Sequence, residues 1–477
     1  MKKYILLLLV PVALSLGACT KNFDTVYSDP EALKNTAAGY FLNEILYDGA
    51  NAGMRQALFT NNELTQVTVY SSDTRETQRY LIRTTEYDYS WENYYAILKN
   101  VKDMRLAAQR DKYVNCEAIS LVLWAWLFEN LVDTYGDIPY YQALKGYPEY
   151  QLRNKFDRQD EIYQDLVNKL DTANNMFNTA AKMEIGSDFM YNAQDSTTGT
   201  TTWKKLGNSL RLRLLMRISA KSAEARAQIN LILSNPGKYP VFTAATESAA
   251  VRYTNTGTFL NPYFNARNVD WNGNRAMGKF FIDTLNAWND TRLAKWCAPT
   301  SGQYVGMPSG FTRAETDSIT DIPTSVLLLD LKSSSLTGQI MQYAEVEFIR
   351  AEAILRGYTS GDAKTAYENG IKGSFSYWGL STPSDYLSRA GVAYNGTIPQ
   401  VMLQKYYALF FNDMQQWAEI RRTGYPVLPR GNATKDKEYP RRIPYPLLVQ
   451  STNAENYQQA VINMGGDALT TKLWWQP

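Results

Sequence analysis

Apolar and aromatic residues recur along most of this chain at intervals of three and four, the period of an amphipathic helix. Between 91 and 109 they fall at Trp91, Tyr94, Tyr95, Leu98, Val101 and Met104. Between 116 and 132 the stripe of Ile119, Val122, Leu123, Trp126, Leu127 and Leu131 is dense enough to predict a helix buried around much of its circumference. The same spacing predicts helices over 160–177, 203–219, 223–233, 278–287, 341–356, 362–378 and 399–423. Strand signals are few and short, the better ones at 67–70 and 251–253.

Two stretches read as helix hairpins. Over 345–371 a first helix ends at Arg356-Gly357, a turn through Ser360-Gly361-Asp362 follows, and Ala366, Tyr367 and Ile371 sit at helical spacing beyond it. The small residues Ala351, Ala353 and Ala366 let the two helices approach closely, as in a tetratricopeptide pair. A weaker hairpin spans 117–144, where Tyr135-Gly136-Asp137-Ile138-Pro139 stops the first helix. The spacing is too irregular for a solenoid, and no low-complexity linker divides the chain. The expectation is a mainly α body over 31–477, with helix pairs within 91–145, 155–235 and 340–425.

The amino terminus carries an address. Met1-Lys2-Lys3 is a short positive segment, residues 5–16 are apolar apart from Pro11 and Ser15, and Leu16-Gly17-Ala18-Cys19 is a small-residue cleavage site ending in cysteine. This is the pattern of a bacterial lipoprotein signal peptide, too short for a membrane span. It predicts removal of 1–18, acylation of Cys19, and a polar tether over 19–30. Two or more acyl chains hold a soluble body on a bilayer stably.

Cleavage changes the charge balance. The chain has 49 Lys+Arg and 47 Asp+Glu, and loss of Lys2 and Lys3 equalises them. A neutral protein lacks the basic excess that nucleic-acid binding requires. Cys116 and Cys297 read as two small buried hydrophobes, a single disulfide being the alternative.

The chain contains no histidine. That excludes Ser-His-Asp and Cys-His nucleophile systems and imidazole acid/base chemistry, and it removes the usual catalytic zinc ligand. What enzymology is left rests on carboxylates, lysine or tyrosine, and no pair of carboxylates stands out by spacing. No Asp-x-Asp-x-Asp-Gly calcium loop is present, and nothing calls for a cofactor.

Several segments are familiar in order. Cys19 of the lipobox, Asp133-Thr134-Tyr135-Gly136-Asp137-Ile138-Pro139-Tyr140, the helix Trp203 to Ser219 (WKKLGNSLRLRLLMRIS), Tyr343 to Ala353 (YAEVEFIRAEA) and Gln404 to Pro426 (QKYYALFFNDMQQWAEIRRTGYP) resemble the SusD/RagB family of outer-membrane nutrient-binding lipoproteins. The likeness is strongest to the family's second SusD-like branch, and spans nearly the whole mature chain. It implies a SusD-like fold, with tetratricopeptide-like pairs as scaffold and an irregular, loop-rich portion carrying the ligand surface. It also implies a cell-surface lid on a TonB-dependent, SusC-like outer-membrane transporter, which binds oligosaccharide or peptide and passes it inward uncut.

The shared motifs read as structural. Gly136 and Pro139 turn the chain, Gly424 follows a helix end, and Arg421 and Arg422 lie on the negative end of that helix. Arg213 and Arg217 share a helix face and are expected to pair with acids.

Ligand contact is expected elsewhere. Aromatic rings cover the apolar faces of sugars while Asn, Asp and Arg bond the hydroxyls. Two polar, aromatic stretches offer this, 70–89 (YSSDTRETQRYLIRTTEYDY) and 259–275 (FLNPYFNARNVDWNGNR). By region, the resemblance points to Tyr70, Tyr80, Tyr263, Trp271, Asn274 and Arg275, with Trp271 folded over its own loop as the alternative. Two other functions stay open at this point: a surface glycoside hydrolase using paired carboxylates, and a structural lid with no ligand site.

Overall fold

Strong apolar periodicity becomes helix, with ends shifted by a few residues. In the computed structural model, which describes residues 36–72, 75–145 and 151–477, the longer helices are α1 (Leu42–Gln56), α2 (Thr84–Asp111), α3 (Val114–Tyr135), α4 (Gln159–Met176), α5 (Thr197–Ile218), α6 (Ala223–Ser234), α7 (Lys279–Ala287), α8 (Tyr343–Leu355), α9 (Ala363–Tyr377), α10 (Ile398–Ala408), α11 (Gln415–Thr423) and α12 (Ala454–Met464). Residues Ala38–Pro477 form one folded unit. The expected signal peptide, Cys19 and the tether lie outside the described residues.

Successive helices pack in a chain from α2 to α6, while α8 packs on both α9 and α10. The α8–α9 hairpin forms as its sequence predicts, with Ala351, Ala353 and Ala366 all buried. Asp362 opens α9 by accepting the amides of Lys364 and Thr365 at 2.9 and 3.2 Å. Helix α3 is buried almost throughout.

Two expectations differ from the structure. The pattern over 399–423 predicts one helix, but the chain breaks between α10 and α11, with Phe411 and Asp413 at positive φ. The break turns Phe410 and Phe411 into the aromatic core, and Gln342 and Gln339 amides satisfy the freed carbonyls of Ala408 and Phe410, each at 3.0 Å. The hairpin over 117–144 has no second helix of its own; α3 pairs instead with α4. After Gly136 (φ +87°) the Asp157 carboxylate accepts the Tyr140 and Tyr141 amides at 3.0 and 2.8 Å, holding that segment out of a helix.

The strands are short. In the larger sheet β1 (Thr68–Tyr70), β3 (Arg275–Met277), β5 (Val326–Leu327) and β4 (Cys297–Ala298) lie side by side in that order, all antiparallel. β2 (Ala249–Val251) pairs with β6 (Gly338–Met341), two residues earlier than the pattern at 251–253 suggests. The β1–β3 register sets Tyr70 opposite Arg275.

A buried ionic network ties the scaffold together. Arg213 of α5 meets Glu345 of α8 at 2.7 Å and Glu129 of α3 at 3.4 Å. Arg217 meets Asp133 at 3.3 Å and Glu419 at 3.5 Å. Glu419 also takes Lys405 at 2.9 Å and Arg422 at 2.6 Å, while Arg422 grips Glu352 at 2.6 Å. The guanidinium of Arg421 lies 3.5 Å over the Trp417 ring and donates to the carbonyls of Asp133 and Arg441. These arginines thus serve the fold, and Gly424, at φ +78°, ends α11. Cys116 and Cys297 are both buried and unpaired.

Candidate functional site

Helix α1 organises the surface that the sequence left unassigned. Its apolar side, Leu42, Ile45, Leu46 and Met54, is buried, and its polar side carries Glu44, Asp48, Asn51 and Arg55 at helical spacing. Gly49 and Gly53 let it sit deep: a Cβ at Gly49 would come 2.5 Å from the Trp126 ring, and one at Gly53 3.2 Å from the Asp413 carboxylate.

Between α1 and α2 lies a cavity of about 410 Å³, walled by Glu44, Asp48, Asn51, Tyr89, Asn93 and Asn100 with Ala52, Ala96 and Ile97. Two of the amides are fixed. Asn51 Oδ1 accepts the Tyr253 hydroxyl at 2.9 Å, and Asn93 Nδ2 donates to the Tyr89 carbonyl at 2.8 Å. Burial, reinforced by the neighbouring Glu44, raises the Asp48 carboxyl.

Tyr89 joins the cavity to a cluster of stacked cations. The Arg55 guanidinium lies 3.8 Å over the Tyr89 ring and 5.3 Å from that of Phe59. Arg75 and Arg275 approach the same Phe59 ring at 4.3 and 5.0 Å, and Arg275 lies 5.4 Å over Tyr70. Glu86 answers Arg75 at 3.0 Å and Arg55 at 3.7 Å. The buried Glu63 accepts the Thr68 hydroxyl and the Tyr70 amide, both at 2.8 Å, with Arg275 Nε 3.9 Å away. Burial raises the Glu63 carboxyl, with Arg275 pulling the other way, and burial lowers Arg275.

The six residues singled out by sequence fall into three settings. Tyr70 and Tyr263 are half-buried and Asn274 is exposed, so these three present atoms to solvent. Trp271 and Arg275 belong to the same neighbourhood but are buried. The Trp271 ring lies 4.9 Å from Tyr263 and 6.0 Å from Phe411, and its Nε1 donates to the Leu328 carbonyl at 3.0 Å. It offers no free face to a ligand in this conformation; it packs both on Tyr263 of its own loop and into the core. Arg275 Nη1 closes the loop by donating to the Trp271 carbonyl at 2.8 Å. Tyr80 lies apart, buried against Tyr439 at 5.6 Å and under Arg430 at 5.5 Å.

Sequence reasoning missed Glu44, Asp48, Asn51 and Arg55, because Gly49, Ala50, Ala52 and Gly53 thin the apolar stripe of α1. The i, i+4, i+7, i+11 spacing of its polar residues was the available signal.

The family profile described as SusD-like, starch-binding and associating with the outer membrane matches residues 30–446. The chain belongs to the SusD-like family. A chitin-binding protein superposes with a TM-score of 0.78 at 25% identity, over 92% of this chain and 98% of the other. A SusD homologue from Bacteroides fragilis gives 0.77 at 25% identity, over 92% and 99%. A chitin-binding SusD homologue from Flavobacterium johnsoniae gives 0.75 at 20% identity, over 91% and 97%, a likeness of fold. No curated protein matches the chain. The mainly α SusD-like fold read from the sequence is the one observed, and membership carries glycan binding and association with the outer membrane.

Proposed function

We propose that this SusD-like protein is a non-catalytic surface lipoprotein that captures oligosaccharide in the α1–α2 cavity and delivers it to a TonB-dependent, SusC-like transporter. The observation that carries the reading is the lining of that cavity. Carboxylate and amide groups at Asp48, Asn51, Asn93 and Asn100 suit paired bonds to sugar hydroxyls, and Tyr89 supplies an aromatic wall. Tyr70, Tyr263 and Asn274 extend the surface outward, while Trp271 and Arg275 hold its backing in place. The chitin-binding structural relatives support a glycan over a peptide.

Anchoring rests on the sequence, with acylated Cys19 as the attachment point. Among the described residues no helix is long and apolar enough to cross a membrane. The hydrolase alternative has one candidate pair, Glu44 and Asp48. They sit one turn apart on the same helix, on one wall of the cavity, whereas glycosidases flank the scissile bond with carboxyls from two sides. The geometry favours binding.

Calorimetric titration of the mature protein against chito- and malto-oligosaccharides tests the site. Asp48→Ala and Asn100→Ala should each weaken the bound glycan by roughly tenfold, or ~1.4 kcal/mol, with unfolding midpoints unchanged. Unaltered affinity in both variants, or release of reducing ends by the wild type, would reject the proposal. Cys19→Ala should move the protein from the membrane fraction to the soluble fraction.

A further inference from the structure

Helix α2 has a second cavity on its other side. The α1–α2 cavity uses Tyr89, Asn93, Ala96, Ile97 and Asn100, whereas Lys102, Arg105, Leu106 and Gln109 line a separate space of about 350 Å³. At 100° per residue these two sets point in nearly opposite directions, and Tyr89 and Arg105 stand roughly 24 Å apart along the axis. The second cavity is completed by Trp124 of α3, by Tyr140, Tyr141, Ala143 and Lys145 after it, and by Lys169 of α4.

The two spaces differ in charge. The first carries Glu44 and Asp48; the second is lined by Lys102, Arg105, Lys145 and Lys169 and, among the described residues, by no carboxylate. Two acids at its edge each engage one cation: Asp165 meets Lys169 at 2.7 Å, and Glu117 lies 3.7 Å from Arg105. Asp157, near Tyr141, is occupied by the Tyr140 and Tyr141 amides and by Lys155 at 3.8 Å. Lys102 donates to the Leu144 carbonyl at 2.6 Å and, like Lys145, makes no ion pair among the described residues. Glu117, Asp165, Asp157 and Glu161 all lie near the space but outside its lining, so the positive charge that faces it is that of Lys102 and Lys145.

Its walls are aromatic and held from behind. Trp124 packs 4.8 Å from Phe128, and its Nε1 donates to the Tyr140 hydroxyl at 3.0 Å, which in turn donates to Asp165 at 2.5 Å. Tyr141 is 51% exposed and therefore has ring surface to offer. Burial and the nearby Asp165, Glu161 and Asp157 raise its phenol, so the ring stays neutral.

We propose that this cavity is a second glycan site, specific for acidic sugars: rings pack on Tyr141 and Trp124 while a hexuronic acid carboxylate is bound by Lys102 and Lys145. Ring-shaped apolar surface beside ammonium groups that make no ion pair among the described residues matches a sugar that carries its charge on the ring, more closely than it matches a flexible acidic peptide. The site stands independently of the α1–α2 cavity.

The probes are trigalacturonic acid, its methyl ester and hexaglutamate, titrated into the mature protein and into Lys145→Gln and Tyr141→Ala. Both substitutions are on the outer wall, away from the core. The free acid should bind, its affinity should drop about fivefold in each variant and fall with added salt, and the ester should bind at least tenfold more weakly. Asp48→Ala should leave this binding unchanged, which separates the site from the first. Absence of acid binding, equal binding of the ester, indifference to both variants, or equal capture of hexaglutamate would overturn the assignment.

Discussion

Trp271→Ala distinguishes a ring that touches ligand from one that supports the surface. The indole is fully buried, between Tyr263 at 4.9 Å and Phe411 at 6.0 Å. Truncating such a ring costs about 3–5 kcal/mol, transfer and cavity terms together. Loss of the Nε1 donor leaves the Leu328 carbonyl with the Leu331 amide at 3.3 Å, so the lost hydrogen bond adds little. A destabilisation of ~3–5 kcal/mol is a large share of the 5–15 kcal/mol typical of a folded protein. It should appear as a lower guanidinium midpoint with an unchanged slope, read by far-ultraviolet circular dichroism. Trp271→Phe should recover a substantial part of the loss. Native-state titration should show the residual folded protein binding glycan more weakly only as far as the Tyr263 surface loosens. A stability change below about 1 kcal/mol, together with a tenfold or greater loss of affinity, would refute this reasoning and place the ring at the ligand.

Two further perturbations test the interior. Asp413 accepts the Tyr94 hydroxyl at 2.5 Å, and burial raises its carboxyl to about 6. Its folded value exceeds its unfolded one, so the native state holds the proton more tightly and stability falls as pH rises from about 4 to 6. Asp413→Asn keeps an acceptor and tolerates the positive φ, so it should flatten that limb and gain up to ~3 kcal/mol at pH 7, measured by denaturant titration across pH; an unchanged profile would contradict it. At Glu419 burial opposes ionisation, but Arg422, Lys405 and Arg217 prevail and hold the carboxyl well below its usual range. Its stabilisation is therefore present above the unfolded value near 4.5 and is lost as pH falls toward the depressed folded value. Glu419→Gln should cost about 3–5 kcal/mol at pH 7 by leaving three buried cations short of charge, and in melts across pH the gap to the wild type should be nearly full at pH 4 and narrow only as pH falls further toward the depressed folded value.

Helices with a dense apolar stripe were legible because their burial is written locally, in spacing: α3, α5 and the α8–α9 hairpin follow from residues three and four apart. Helix α1 was not legible, since its contact side is built from glycines and alanines whose value lies in what they approach, Trp126 and Asp413, far along the chain. The break between α10 and α11 escaped for the same reason. The residues 409–414 carry a helical pattern, and only the aromatic core and the glutamines of β6 and its flank make a break favourable.

The sequence by itself determined the exclusion of histidine chemistry, the helical scaffold and the family. Each is a property of local pattern or of composition, and needs no partner. The tertiary structure decided which candidate residues face solvent. Tyr70, Tyr263, Trp271, Asn274 and Arg275 converge because β1 pairs with β3 and the 259–275 loop folds back onto α1, contacts across some two hundred residues. Whether an aromatic ring becomes surface or core depends on what closes over it, and Trp271 is closed over by Phe411, a neighbour no local pattern could supply.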